Sequence, residues 1–230
     1  MKFDSALMVQ ALPELLGGAA TTIWLSVVSI LFGLVLGIVF GIFSVCPIRW
    51  LTWLARLYAD AIRGTPLLVQ IFILYYALPP LGITLSAPVA GILGLGVNSG
   101  GYIAEIVRAG IQSIPRGQVE AARGTGLTYI QVLRHVVLPQ AMILVLPPLT
   151  NEFITLVKAT SLVSTIAIAE LLRTGQHIIA RTFAPLEIYL GVAGIYLAIN
   201  LLLRQVMQFF ENYAARTVGM VHRVAQEVGV

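Results

Sequence analysis

LLGGAATTIWLSVVSILFGLVLGIVFGIFSVCPI, residues 15–48, carries no charged side chain. An α-helix needs only about 20 apolar residues to cross the hydrocarbon core of a bilayer. Two more charge-free stretches follow, between Arg63 and Glu105 and between Arg134 and Glu152. The whole chain is of the same kind: 58% of its residues are apolar, 10% are charged and its mean hydropathy is +0.92. A soluble domain carries roughly 25% charged residues, so an ordinary soluble globule is excluded. In 230 residues, spans and their loops leave space for about five crossings and little soluble domain.

The expected fold is therefore all-α and membrane-integral, one domain over 1–230. Spans are predicted at about 20–45, 57–79, 87–111, 136–158 and 186–209. The run from Thr21 is too long for a signal peptide and is expected to be retained as the first span. Pro139, Pro147 and Pro148 predict a broken fourth helix lining a polar path, and 160–175 reads as a short re-entrant or interfacial helix. Gly33, Gly37 and Gly41 recur every four residues, a stripe suited to close helix packing. Trp50, Trp53, Tyr58, Tyr75 and Tyr76 are expected as interfacial anchors.

Basic residues set the orientation. With an external N-terminus, Arg49, Arg56, Arg63, Arg108, Arg116, Arg123, Arg134, Arg204, Arg216 and Arg223 fall on the cytoplasmic side. Lys2, Lys158, Arg173 and Arg181 remain outside or near the outer half, so the positive-inside rule favours this topology ten to four. The formal charge of +4 flanks apolar runs instead of forming a basic face, which argues against nucleic acid.

Catalytic parts are missing. His135, His177 and His222 lack zinc-protease spacing, and no G-x-S-x-G elbow occurs. Cys46 is alone, so neither an intrachain disulfide nor a redox pair is available. No lysine follows a glycine as a phosphate loop requires: Lys2 follows Met1 and Lys158 follows Val157. Concentrating a solute ten-thousand-fold costs about 5.6 kcal/mol. A pump of this sequence needs a partner to supply that energy.

The segment 112–135 is the informative connection. Pro115 starts a helix, Gly124 and Gly126 bend or stop it, and Ile130, Leu133 and Val137 begin a second apolar face. Two short helices are predicted to meet at a glycine elbow on the membrane surface. Here the chain resembles the permease subunits of binding-protein-dependent ABC importers, through Glu120, Ala121, Ala122, Gly126, Leu138 and Pro139, with Val136 in place of an isoleucine. The resemblance implies a type I (MetI-like) permease fold with its core at about 17–217. It also implies a cytoplasmic helix at about 112–135 that docks on an ATPase, Glu120 either pairing with a basic ATPase residue or capping its own helix. ATP and Mg would then be bound by two separate ATPase subunits, with no cofactor or metal in this chain. A second permease copy or a paralogous permease, an extracytoplasmic solute-binding protein and a bacterial inner-membrane location complete the expectation, with the N-terminus outside and the C-terminus cytoplasmic.

Segments 62–70, 102–115 and 158–164 narrow the resemblance to the polar amino-acid and opine branch, which moves such solutes inward by alternating access. Many relatives carry Asp after the lysine of the third segment, where this chain has Ala159, and that weakens any expectation of a cationic solute. The candidate substrate path comprises Gly64, Thr65, Gln70, Asn98, Glu105, Asn151, Glu152, Lys158, Ala159, Thr160 and Ser161. Polar groups at bilayer depth normally face protein or water. Asn98, Tyr102 and Glu105 share one helical face, as do Asn151, Thr155 and Lys158. Glu105 either pairs locally with Arg108 or lines the path; the hydroxyls after Lys158 either contact solute or bond neighbouring helices; 63–66 is either an inner gate or a structural kink. The rival function is a stand-alone ion-coupled carrier or channel using Glu105, Glu152 and Lys158.

Overall fold

The computed structural model describes the backbone of residues 5–227 and the side chains of residues 6–216. Lys2 and the side chain of Arg223, both counted above for orientation, lie outside those limits. Among the described residues, four helical stretches are long and apolar enough to cross a membrane: Ala6–Phe43, Ala87–Gln112, Tyr129–Ile166 and Pro185–Arg216. A bent pair, Arg49–Arg63 with Leu67–Ala77, makes a fifth if taken as one span.

Helix α1 (Ser5–Phe43) begins well before residue 20, where the first span was expected. Its single charged residue, Glu14, is a good helix former and pairs with Arg181 at 2.7 Å, while Ala11, Leu15 and Ala19 are buried beside it. The glycine stripe packs against α4 (Ala87–Gln112) as expected. A Cβ on Gly33 would meet the Gly96 carbonyl oxygen at 3.0 Å, and one on Gly41 would meet Val107 at 2.6 Å. Gly96 and Gly100 of α4 return the contact against Phe32 and Leu36, so each backbone lies in the other's groove.

The span expected at 57–79 bends at residues 64–66, where the sequence placed a gate or a kink. Helix α2 (Arg49–Arg63) and helix α3 (Leu67–Phe72, prolonged by a π turn over Ile73–Ala77) meet at 100° across Gly64, Thr65 and Pro66. Pro66 cannot donate to a continuing helix, and the Gly64 N–H closes α2 on the Asp60 carbonyl at 2.8 Å. Tyr58 is corrected from anchor to packing residue: it stacks on Phe40 at 4.3 Å and donates to the Val97 carbonyl at 2.7 Å. Tyr75 likewise packs on the core, whereas Trp50, Trp53 and Tyr76 are exposed.

Helix α5 (Arg116–Gly124) is followed by the elbow, with Gly126 at φ +86°. A capping box between Thr128 and Gln131 then starts α6 (Tyr129–Val132), which runs through a π turn (Leu133–Val137) into α7 (Leu138–Ala159). The second short helix is thus the foot of a span and not a separate piece. Its buried face carries Val132 and Val137, whereas Ile130 is 73% exposed, because the π turn shifts the expected period.

Helix α7 passes unbroken through Pro147 and Pro148, so the predicted break in the fourth span is not there. Val145, Leu149 and Phe153 hold that stretch in the core, and the Thr150 hydroxyl donates to the Leu146 carbonyl at 3.1 Å. The irregularity lies at the end of α7 instead, where a 3-10 helix (Thr160–Ile166) stops at Ala167 with φ 66°. Helix α8 (Leu171–Thr182) then begins, so 160–175 is two elements and not one re-entrant helix. Helix α9 (Pro185–Glu227) closes the described chain. Arg181 of α8 meets Glu14 near the start of α1, and Tyr129 donates to the Val45 carbonyl just past its end at 3.2 Å. The α5 loop and α8 therefore occupy opposite ends of the helix bundle.

Candidate functional site

Three helices enclose a cavity of about 390 Å³. Asn98, Ser99 and Tyr102 enter from α4, Glu152, Thr155 and Ala159 from α7, and Leu67 from α3. The spacing explains the gathering: Glu152, Thr155 and Ala159 lie three and four residues apart, on one helical stripe. The next stripe of α7 carries Asn151 and Lys158, which are exposed, as is Thr155. Thr155 thus stands at the rim of the cavity, while an amide and an ammonium face outward from a helix long and apolar enough to span. Such groups are costly against lipid and require water or another protein surface.

A polar seam continues from the cavity between α2, α3 and α4. Asn98 Nδ2 donates to Gln70 Oε1 at 3.1 Å, and Gln70 Nε2 donates to the Ile62 carbonyl at 2.9 Å and to Thr65 Oγ1 at 2.8 Å. Gln70 thereby ties together both sides of the Gly64–Pro66 bend. Below it, Glu105 accepts from Arg108 Nε at 2.8 Å and lies 3.7 Å from Arg63, whose guanidinium stands over the Tyr102 ring at 5.8 Å. The anticipated Glu105–Arg108 pair is present, and Arg63 joins it from a different helix, a contact that spacing along the sequence cannot show.

The candidate path residues divide on this geometry. Asn98, Glu152 and Ala159 line the cavity; Gly64, Thr65, Gln70 and Glu105 form the seam; Asn151 and Lys158 are on the exposed face. Thr160 is fully buried and donates to the Val157 carbonyl at 2.7 Å, while Ser161 donates to the Lys158 carbonyl at 2.8 Å. Both hydroxyls are used in turning the chain. Among the described residues no three His, Cys, Asp or Glu side chains come together as a metal site.

Sequence reasoning gave Glu170 no role. It is fully buried, and its carboxylate accepts from the Leu172 and Arg173 N–H groups at 2.9 and 2.8 Å and from the Tyr196 hydroxyl at 2.8 Å. Burial pushes its carboxyl above the ordinary value, against the pull of those three donors. A capping acid just before an apolar helical run was the signal available.

On α5, Glu120 and Ala121 are exposed, whereas Ala122 packs with Val119 on the cluster of Ile114, Val132 and Val137. Glu120 lies beyond the first turn, and Pro115 at the N-cap has no side-chain cap, so the capping alternative for Glu120 falls. Arg123 stands over Tyr129 at 6.0 Å across the elbow. Leu138 and Pro139 are half-buried at the foot of α7, away from the exposed face of α5.

The family model described as "binding-protein-dependent transport system inner membrane component" matches residues 33–214. The chain belongs to this family. The permease is 42% identical to the L-cystine transport system permease protein TcyB of Bacillus subtilis, over 90% of this chain and 88% of that protein. It is 40% identical to the glutamine transport system permease protein GlnP of Escherichia coli, over 92% and 98% of the two chains. A crystal structure of an amino acid ABC transporter with histidines superposes on it with a TM-score of 0.86 at 36% identity, over 93% of this chain and all of that one. The permease is therefore an inner-membrane component of an ABC import system, and the stand-alone carrier or channel is set aside. Its family is one of transport subunits that are not themselves enzymes.

Proposed function

We propose that this permease passes a polar amino acid, an amino-acid derivative or an opine into the cytoplasm, by alternating access at the cavity between α4 and α7. The observation that carries this reading is the cavity itself. Its volume of about 390 Å³ suits a small zwitterion, and its walls offer a carboxylate, an amide and hydroxyls among apolar side chains. Glu152 answers the solute's ammonium, and Asn98 with the hydroxyls of Ser99 and Thr155 addresses its polar remainder. The relatives transporting cystine and glutamine support the same solute class.

The outward polar stripe of Asn151 and Lys158 supports a path completed by a second permease, either another copy or a paralogue. Two ATPase subunits, holding ATP and Mg, dock on the exposed face of α5 around Glu120 and Ala121. Gly126 sets the elbow, and Leu138 and Pro139 transmit the push into α7. An extracytoplasmic binding protein delivers solute at the α8 end. The N-terminus lies outside and the C-terminus in the cytoplasm, an orientation that the distribution of arginines favours.

Reconstitution tests this directly. Vesicles holding the permease with its ATPase subunits, and binding protein added outside, accumulate amino acid only with internal ATP. Accumulation by the permease alone on a proton or sodium gradient would refute the reading.

A further inference from the structure

At the end of the bundle that carries α5 lies a second, larger cavity, of about 720 Å³, enclosed by the α1–α2 connection, α2, the end of α4 and α5. Arg56 and Arg116 line it from two separate helices, with Ser44, Thr52 and Gln112 between them. Among the described residues, neither arginine has a carboxylate within ion-pair distance. Asp60 and Glu120 follow them by four residues on their own helices without closing an ion pair, so two guanidinium groups on different elements share one cavity with their donors open to an anion with several acceptor oxygens.

The surroundings narrow the anion's source. Helix α2 turns 100° away from α3 and exposes Trp50 and Trp53, each 65% accessible, beside Thr52 and Arg56. Exposed tryptophans of this kind belong at the headgroup level. Ile111 is a wall of this cavity and also of an almost wholly apolar groove of about 310 Å³ between α1, α4 and α7. The groove passes Ile38 and Val107 and follows α7 from Leu138 through Met142 to Leu149. At 1.5 Å per residue those positions span about 16 Å, close to half the roughly 30 Å hydrocarbon core, which is the reach of one acyl chain.

We propose that the cavity and groove form one binding site for an anionic phospholipid, with the phosphate between Arg56 and Arg116 and one acyl chain along α7. Basic pockets between helices at the membrane surface recognise such headgroups. The bound lipid joins α2 to α5 and so fixes the coupling helix against the membrane. The location at the cytoplasmic leaflet rests on the proposed coupling role of α5; lipid binding as measured below does not, because both leaflets carry the same lipids.

The test uses the assembled transporter in nanodiscs of phosphatidylcholine and phosphatidylglycerol, released and weighed by native mass spectrometry. One phosphatidylglycerol per permease is expected to be retained in preference to phosphatidylcholine. Arg56→Gln, at an exposed position outside α5, lowers retention roughly fivefold, the effect of one arginine near an anionic headgroup. Arg56→Lys restores most of it. Met142→Trp, which fills the groove at a residue 63% exposed, also lowers retention. Equal retention of both lipids, indifference to Arg56→Gln, or displacement by glycerol phosphate at matched concentration would overturn the proposal, the last by showing a site for a soluble anion. ATP-driven uptake, measured separately, reports on the coupling role of α5.

Discussion

Replacing Ala159 by aspartate adds a carboxylate to the wall of the 390 Å³ cavity, one turn beyond Thr155 and two turns beyond Glu152. A sphere of that volume has a radius of about 4.5 Å, which places a solute's side-chain charge about 6 Å from the new carboxylate. At an effective dielectric near 20 the two charges interact by about 3 kcal/mol. Water in an open path removes half or more of that, leaving roughly tenfold in favour of a cationic side chain and tenfold against an anionic one. Glu152 tempers the gain: two helical turns put the carboxylates about 10 Å apart, where their repulsion is a little over half as strong. The assay is competition by lysine, glutamine and glutamate for uptake into vesicles holding the assembled transporter and its matched binding protein. Lysine should rise in rank and glutamate fall. An unchanged rank, with expression and ATP coupling intact, would show that Ala159 only packs the bundle and that selectivity resides in the binding protein.

Three further outcomes are expected. Glu120→Lys should abolish ATP-driven uptake while the protein still inserts, because it reverses an exposed charge on α5; survival of both uptake and ATPase stimulation would remove α5 from the docking surface. Gly41→Ala should destabilise the permease by about 1–3 kcal/mol, since its Cβ meets Val107 at 2.6 Å, whereas Gly17→Ala on the same helix meets nothing within 4 Å and should hold or raise the melting temperature in detergent. Glu170→Ala should cost about 2–4 kcal/mol, because two N–H groups and the Tyr196 hydroxyl lose their acceptor; Glu170→Gln, which keeps one acceptor oxygen, should lose less, and equal melting temperatures for the two variants would count against the capping role.

What the sequence discloses is whatever depends on local chemistry. Charge-free length marks the spans, Pro66 marks the bend, Gly126 marks the elbow, and the four-residue glycine repeat marks the face of α1 that meets α4. Local chemistry failed where a distant partner overrides it. Glu14 bounds the charge-free run, yet α1 continues past it because Ala11, Leu15 and Ala19 bury against Leu171, Ile178, Ile188 and Val192 from far along the chain. Pro147 and Pro148 remove two hydrogen bonds from α7, yet burial of Val145, Leu149 and Phe153 keeps the helix whole. Gln70 reaches Ile62, Thr65 and Asn98 together across the 100° bend between α2 and α3, and no pairwise spacing reveals a three-way contact.

The candidate site follows the same division. Periodicity alone places Glu152 with Ala159, and Asn151 with Lys158, on adjacent stripes of α7; it does not say which stripe faces inward. The structure turns Glu152 and Ala159 into the cavity and leaves Asn151 and Lys158 on the surface of the single chain. An ammonium on a spanning helix is tolerated only where water or protein replaces lipid, so the surface that leaves Lys158 exposed is itself an argument for a second subunit. If the path lies between two permeases, then Asn151→Leu and Lys158→Leu should leave the isolated chain as stable as before and impair the assembled transporter. Glu152→Leu, which removes a cavity-lining carboxylate, should alter solute preference of the assembled transporter. Loss of stability in the isolated chain from Lys158→Leu would mean that its ammonium already has a partner within the bundle, and the case for a shared path from that stripe would lapse.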